Sequence, residues 1–573
     1  MIEQITQALE NAVKDLTGED HEIVLEQARD FNRGDFACSV AMQLAKILGK
    51  PPINLAKEIV EKLNTLYPIS DITYEIAGPG FINFKFSKNV LLDLVVKILE
   101  QKDDFGQGED LKNKKILVEF AHPNTHKAFH IGHLRNISLG ESLARILEFE
   151  KAKIFRANYQ GDIGMHVAKC IWALKKENKK NFDDLKTPQV KAEYLGKIYA
   201  IGGQAYEALE KAKIEIQEIN KALYKGEDLE LMNLYKQSRQ WSLDYFDYIY
   251  KRLGTHFDRL FFESECFSLG KELVLQNVGK IFTKSKGAIV FEGEKYGLHT
   301  RVFVSSEGNP TYEAKDMGLA KLQKETFDFD ANIHVVANEQ TEYFKVIFEA
   351  MYQIFPELKG KQYHLAYGMV KLTSGKMSSR TGEVVMAEWL IDTAKEEIGN
   401  LIQNKEDFSL EELEEIKEKV AVGAIKFMML SSGAKNDIAF DLKKAIRLDG
   451  DSGPYIQYAY ARIRSILRKS GQPPIISNQQ LIFENCNEND WGLIRKLLYF
   501  EEAVKRASKN YSPHYICHYL LDLTSEFSSW YSKNRVLDEE ENLKNARLAI
   551  LASVAQVLKN GLYLLGIETL ERM

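Results

Sequence analysis

The chain lacks any run approaching the roughly twenty consecutive apolar residues that a membrane span needs. Its opening, MIEQITQALENAV, is a polar amphipathic segment rather than a secretory signal. Cysteine is sparse. The five residues Cys38, Cys170, Cys266, Cys486 and Cys517 form no C-x-x-C pair, which argues against a disulfide framework and a cysteine-based zinc site and points to a reducing, cytoplasmic setting. Neither sign of charge is in large excess: the formal net charge is −6, so composition does not announce a nucleic-acid binder. A large, mildly acidic protein can still carry a local basic surface. Internal repeats and low-complexity tracts are absent as well. What remains, 45% hydrophobic and 28% charged residues, is the make-up of an ordinary globular protein, and 573 residues exceed what one core can hold.

Residues 1 to about 105 read as a small α+β unit. Ile2, Ile5, Leu9 and Val13 share a helical face, and apolar residues between Ala41 and Leu63 repeat the pattern. YEIAGPGFINFKF (74–86) holds two short β-type runs around the turn Gly78-Pro79-Gly80. From Lys114 strand and helix alternate. KILVEF reads as a buried strand, GHLRNISLGESLARILEFE as a helix with Leu134, Ile137, Leu143, Ile146 and Leu147 towards one face, and KIFRANY as the next strand. That is the βαβ unit of a parallel sheet. The texture returns at IHVVA (333–337) and YHLAYGMV (363–370), so residues 170–300, mostly helical and rich in Lys and Tyr, read as an insertion between two halves of a doubly wound sheet. After about 395 the strand signals stop, and amphipathic segments at 409–431, 453–470, 488–508, 512–532 and 543–565 predict an all-α domain. The expected architecture is an α/β, Rossmann-like doubly wound parallel sheet over 106–395. A small α+β domain over 1–105 precedes it and an all-α domain over 396–573 follows.

The stretch AHPNTHKAFHIGHLRN carries His122, His126, His130 and His133, a third of the twelve histidines in the chain. Such density suits either a metal cage or a grip on negative charge. The end of the first strand of a doubly wound sheet is where ligands bind. Here it leads through Pro123-Asn124 to His130-Ile131-Gly132-His133 and the helix. Gly132 lets backbone come close to a ligand, the helix N-terminus offers N–H groups and a positive dipole end, and two imidazoles at i and i+3 add donors. That arrangement suits a phosphate gaining charge during reaction. A zinc cage would need a third or fourth ligand at fixed spacing, and His122 and His126 lie on irregular chain before the helix. An isolated H-x-x-H is as readily structural. A second basic element lies far downstream: GKMSSRTGEVV (375–385), a glycine-bounded loop after a strand of the second half-sheet, carries Lys376 and Arg380 and could clamp a polyphosphate.

HIGH followed by a KMSKS-like loop resembles the class I aminoacyl-tRNA synthetases, and the wider context resembles the arginyl-tRNA synthetase family. VEFAHPNTHKAFHIGHLRN is similar to its first signature and HLAYGMVKLTSGKMSSRTGEVV to its second. AGPGFINF resembles its additional N-terminal domain, and DGDSGPYIQYAYARIRSIL with the ending LYLLGIETLERM its anticodon-binding domain.

The resemblance implies that L-arginine is activated with ATP to an adenylate, with loss of pyrophosphate, and passed to the terminal adenosine of tRNA(Arg). It implies that His130 and His133 stabilise the α-phosphate. Ser379 and Arg380 depart from the KMSKS pattern, and Lys127, just before HIGH, stands where relatives lacking the second lysine carry a substitute, with Lys376 as a further phosphate contact. Gly132, Met377, Ser378 and backbone groups of Gly368, Met369 and Val370 are implied at ATP. Arginine selection requires carboxylates able to pair a planar guanidinium. Asp316 and Tyr312, one helical turn apart, are expected at that group, Asn124 and Gln340 nearer the amino acid's backbone atoms, and Glu119 somewhere in the same pocket; Tyr343 stands where the family often has histidine. Asn83 and Phe86 are implied at the tRNA D-loop, and Tyr455, Gln457, Tyr458, Arg462 and Trp530 around the anticodon. Mg²⁺ arrives with ATP and no zinc is expected. A monomer is the family's usual state. The alternative is a relative that binds RNA without catalysis, against which the intact His130, His133 and Lys376 count.

Overall fold

In a computed structural model the chain is described over residues 2–28, 34–177, 182–373, 385–402, 405–471 and 483–573. The N-terminal unit contains α1 (Ile2–Thr17), β1 (Leu25–Gln27), β2 (Phe36–Cys38), α2 (Val40–Leu48), α3 (Pro52–Thr65), β3 (Ile72–Ala77), β4 (Phe81–Phe86) and α4 (Lys88–Gln101). Ile5, Leu9 and Val13 of α1 are buried, as the helical spacing predicts. The four strands pair antiparallel in the order β1-β2-β4-β3. At the β3–β4 turn Gly80 has φ +132°, and a Cβ there would come within 2.9 Å of the Pro52 backbone, so the hairpin needs glycine.

The central unit is built on β5 (Lys115–Glu119), α5 (Ile131–Phe149) and β6 (Lys153–Gln160). Four helices follow, α6 (Met165–Glu177), α7 (Pro188–Ala208), α8 (Glu210–Lys225) and α9 (Leu229–Arg252), then β7 (Arg259–Phe262) and α10 (Glu263–Gln276). A small antiparallel sheet of β8 (Thr283–Ser285), β9 (Ala288–Phe291) and β10 (Arg301–Val304) precedes α11 (Tyr312–Thr326), β11 (Ala331–Ala337), α12 (Thr341–Ile354) and β12 (Gln362–Tyr367). The main sheet is parallel throughout, in the order β12-β11-β5-β6-β7. The order reverses between β5 and β11, the topological switch point of a doubly wound sheet. The segment 170–300 is mostly helical, as expected, but it is not a pure insertion: β7 is an edge strand of the main sheet, and β8–β10 form a sheet of their own. Short, isolated strands give too few alternations for sequence periodicity to register.

Beyond the main sheet come β13 (Val370–Leu372), α13 (Ala387–Leu401), α14 (Leu410–Leu430), β14 (Ile438–Phe440), α15 (Leu442–Ala445) and α16 (Gly453–Lys469). The last helices are α17 (Glu488–Leu497), α18 (Phe500–Lys509), α19 (His514–Lys533) and α20 (Glu541–Leu564). Strand structure thus continues past 395: β14 pairs in parallel with β13, Val370 opposite Ile438, and returns the chain towards the main sheet's unit. The segment expected as one helix over 488–508 is two, α17 and α18. No described helix is long and apolar enough to cross a membrane. All five cysteines are buried and unpaired.

Helix α5 is buried on all sides rather than on one face, because α14 and α20 cover the side turned from the sheet. Several of its polar residues are correspondingly tied down. Asn136 accepts from the Ala121 N–H at 2.5 Å and donates to the Val335 carbonyl at 2.7 Å and the Tyr367 hydroxyl at 3.2 Å, which links the ends of β5, β11 and β12. Asn136→Ala would leave the Ala121 N–H and the Val335 carbonyl buried without these partners. It should cost about 2–4 kcal/mol, measured as a lowered urea midpoint of the full-length chain.

Candidate active site

The first turn of α5 is closed by its own histidines. His130 is the N-cap: its Nδ1 accepts the Gly132 N–H at 3.1 Å, and the His133 Nδ1 accepts the His130 N–H at 3.1 Å. The Ile131 N–H goes to the Val385 carbonyl at 2.9 Å. The backbone donors expected to be free for an anion are therefore engaged at Ile131 and Gly132. Because each Nδ1 accepts, the ring proton of the neutral imidazole sits on Nε2. The rings lie 4.0 Å apart, centroid to centroid. Burial first, and then the nearby Lys127 charge, lowers the His130 pKa; burial, His130 and His122 hold His133 well below the ordinary value. Neutral Nε2–H donors without a bound counter-ion are the result. Lys127 is exposed, with its ammonium 5.2 Å from the Tyr199 ring.

The four histidines do not converge. His126 is a core residue: Nδ1 meets the Thr125 hydroxyl at 3.0 Å and Nε2 the Ser238 hydroxyl at 2.9 Å, and burial lowers its pKa to about 3. His122 turns towards Glu119, 3.7 Å away. Among the described residues no group of three His, Cys, Asp or Glu side chains is placed to hold a metal ion.

Beside the switch point a cavity of about 440 Å³ opens between α11 and α12. Tyr312, Gln340 and Arg301 stand among its lining, as do Asp316 and Tyr343. The Tyr343 hydroxyl donates to Asp316 at 2.7 Å. Burial raises the Asp316 pKa to about 7 against that hydrogen bond, with the Glu119 charge adding to the rise. Tyr343, which the sequence left without a role, is thus the direct partner of the pocket's carboxylate. Glu119 lies at the sheet side, facing His334 across 3.3 Å and receiving a hydrogen bond from Gln323. Burial alone would raise Glu119, but His334, His122 and Gln323 bring it to about 2. His334 in turn is raised against burial by Glu119 and by Gln362, 2.8 Å from its Nε2. Glu119 and His334 form a buried ion pair, and Glu119 is already partnered within the protein.

A further carboxylate was not singled out in the sequence. Glu263 opens α10 at the end of β7 and pairs with Lys315 at 2.5 Å. Gly161 sits between it and Asn124: a Cβ there would strike the Asn124 amide and lie 3.6 Å from Glu263. The signal was present as FFESE, but only the pairing of β7 with β6 brings it to the site.

The comparisons with known proteins agree with one another. The model of the tRNA synthetases class I (R), catalytic domain, matches residues 94–442, that of the arginyl tRNA synthetase N terminal domain residues 1–86, and that of the DALR anticodon binding domain residues 456–573. The chain belongs to the arginyl-tRNA synthetases. The arginine–tRNA ligase of Borrelia hermsii is 32% identical over 97% of this chain and 95% of its own length, and that of Treponema denticola 32% identical over 96% and 95%. The arginyl-tRNA synthetase of Thermus thermophilus superposes with a TM-score of 0.83 at 27% identity, covering 99% of both chains.

Within this arginyl-tRNA synthetase architecture the remaining expected residues fall into three groups. Lys376, Met377, Ser378, Ser379 and Arg380 lie outside the described residues. Gly368 and Met369 are committed: their N–H groups go to Ala434 at 2.9 Å and Asp437 at 2.8 Å, and the Met369 carbonyl accepts from Ile438 at 2.8 Å. These groups fasten the β13–β14 strap rather than being free for a base. Asn83, Phe86, Gln457 and Trp530, expected at tRNA, are buried, Trp530 donating to Asp490 at 2.8 Å. Alternation and helical spacing cannot tell an inward aromatic from an outward one when both faces are packed. Tyr455 and Tyr458 are half-buried and Arg462 is exposed.

The raised carboxyl of Asp316 has a stability consequence. Its folded pKa of about 7 lies above the ordinary 3.8, so its contribution is best at acidic pH and is lost as pH rises through 7. Asp316→Asn, whose amide oxygen still accepts from Tyr343, should therefore raise the urea midpoint at pH 8, by about 2–4 kcal/mol in stability. The difference from wild type should shrink through pH 7 and vanish near pH 4.

Proposed function

We propose that this chain ligates L-arginine to tRNA(Arg): arginine's carboxylate attacks the α-phosphate of ATP, pyrophosphate leaves, and the arginyl group passes to the terminal adenosine of the tRNA. The observation that carries this reading is the juxtaposition at one switch point of paired Nε2–H imidazoles and a half-buried carboxylate with an aromatic hydroxyl. His130 and His133 act on the α-phosphate as fixed donors whose strength grows with the charge of the transition state. Lys127 offsets phosphate charge from outside the helix. Asp316, with Tyr312 and Tyr343, selects the guanidinium, whose flat fork of donors suits a carboxylate better than an ammonium does. Asn124 and Gln340 hold the amino and carboxyl groups, Val370 adjoins adenine, and Lys376, Met377, Ser378 and Arg380 contact ATP. Glu119 supports the pocket through His334. Mg²⁺ enters on the phosphates of ATP. The enzyme works as a cytoplasmic monomer, with Tyr455, Tyr458 and Arg462 towards the anticodon.

The test is arginine-dependent ATP–pyrophosphate exchange with and without tRNA(Arg), beside lysine and glutamine controls. Exchange with arginine alone is expected, and His130→Ala should lower kcat by about 10²–10³ with little change in the arginine KM. Exchange with none of the three, tRNA included, would leave an RNA-binding relative instead. The arginine KM should also rise as pH falls below about 7, where Asp316 takes up a proton in the empty site; Asp316→Asn should raise it at every pH and erase that slope.

A further inference from the structure

The cavity between α11 and α12 is deeper than the guanidinium site needs. Both helices flank β11 and descend from the carboxyl edge of the sheet, α11 feeding into β11 and α12 leading from β11 to its parallel neighbour β12. Tyr312 and Gln340 therefore mark the mouth together, and Gln323 and Met351 the bottom together. The Tyr343–Asp316 hydrogen bond spans the cleft one turn in, at 2.7 Å. Outside it the lining is polar, with Arg301 bonded to Glu313 at 3.1 Å. Below it α11 continues for two turns from Asp316 to Gln323, about 10 Å.

Over that span the walls are largely apolar, Leu319 and Ala320 on one side and Phe344, Ile347, Phe348 and Met351 on the other, with Tyr159 and His122 also in the cavity lining. The floor is the Glu119–His334 pair capped by Gln323, whose charges satisfy one another. One continuous cavity joins mouth and chamber past the Tyr343–Asp316 bond.

We propose that this inner chamber is a subsite for a short alkyl group on the terminal nitrogen of a guanidinium, so that the pocket binds Nω-alkylated arginines as well as arginine. The inference rests on the reading that Asp316 receives the guanidinium. A monoalkylated guanidinium keeps enough N–H donors to pair with Asp316. Its substituent points past Tyr343 towards the apolar side chains of α11 and α12. Burying each methylene in an apolar pocket tightens binding by about three- to fourfold.

Calorimetric titration of the full-length protein with L-arginine and its Nω-methyl, Nω-ethyl and Nω-propyl derivatives tests this. Binding of L-arginine, with affinity rising about three- to fourfold per added methylene, is the expected result. Binding of L-arginine with affinity falling at each methylene would overturn the chamber and leave the guanidinium site standing. Failure of L-arginine itself to bind would overturn the underlying reading and this inference with it. Ala320→Leu fills the chamber from α11. It should abolish the gain from alkylation while L-arginine affinity stays within about twofold; a gain that persists in this variant would place the alkyl group elsewhere and refute the subsite.

Discussion

Polar groups on a helix buried along most of its length need partners inside the protein, and α5 supplies them for most of its side chains, Ser138 Oγ and Arg135 Nε excepted, by reaching into each neighbouring unit. Arg135 donates to the carbonyls of Met429 and Ala434, beyond the central sheet. Asn136 joins three strand ends. Glu141 accepts from Arg145 and Arg156 and from the Thr255 hydroxyl, and Ser142 donates to the Leu564 carbonyl near the end of the chain. The histidine-capped turn at the start of this helix is therefore held from both the sheet and the C-terminal helices. Fixed donors are worth more to a charge that develops during reaction than mobile ones, because they need no reorganisation.

The N-terminal unit is fastened to the same frame. Asp35 pairs with Arg495 at 2.8 Å and accepts the Phe86 N–H at 2.7 Å, and Tyr499 donates to its carbonyl at 2.5 Å. Phe105, at the exit of that unit, stacks on Phe500. The two flanking domains of this synthetase meet each other as well as the catalytic sheet. Buried polar contacts of this kind fix a relative placement more than they add stability.

In the pocket the electrostatics divide by environment. Glu119 keeps its charge because His334, Gln323 and His122 surround it, whereas burial outweighs the Tyr343 hydrogen bond and the His334 charge at Asp316 and drives it towards protonation. One carboxylate belongs to the scaffold and the other is left wanting a cation. Their sequence contexts gave no means of separating them, since both are single acids near strand or helix ends.

Much was legible from the residues alone. Hydrophobic periods specify the helices of the first and last units and the βαβ start of the central one, because amphipathic spacing is a local property. The two signatures pointed to the arginyl-tRNA synthetase family, because a chemistry that needs fixed residue types at fixed spacing leaves a local trace. What tertiary structure decided is what depends on neighbours far away in the chain. It made His126 a core residue beside Ser238, brought Glu263 to Asn124 through the edge strand β7, and turned Asn83, Phe86, Gln457 and Trp530 inward. It also gave Tyr343 its carboxylate. The sequence determines which groups are available; burial and pairing, which arise only when distant segments meet, determine which remain free to act.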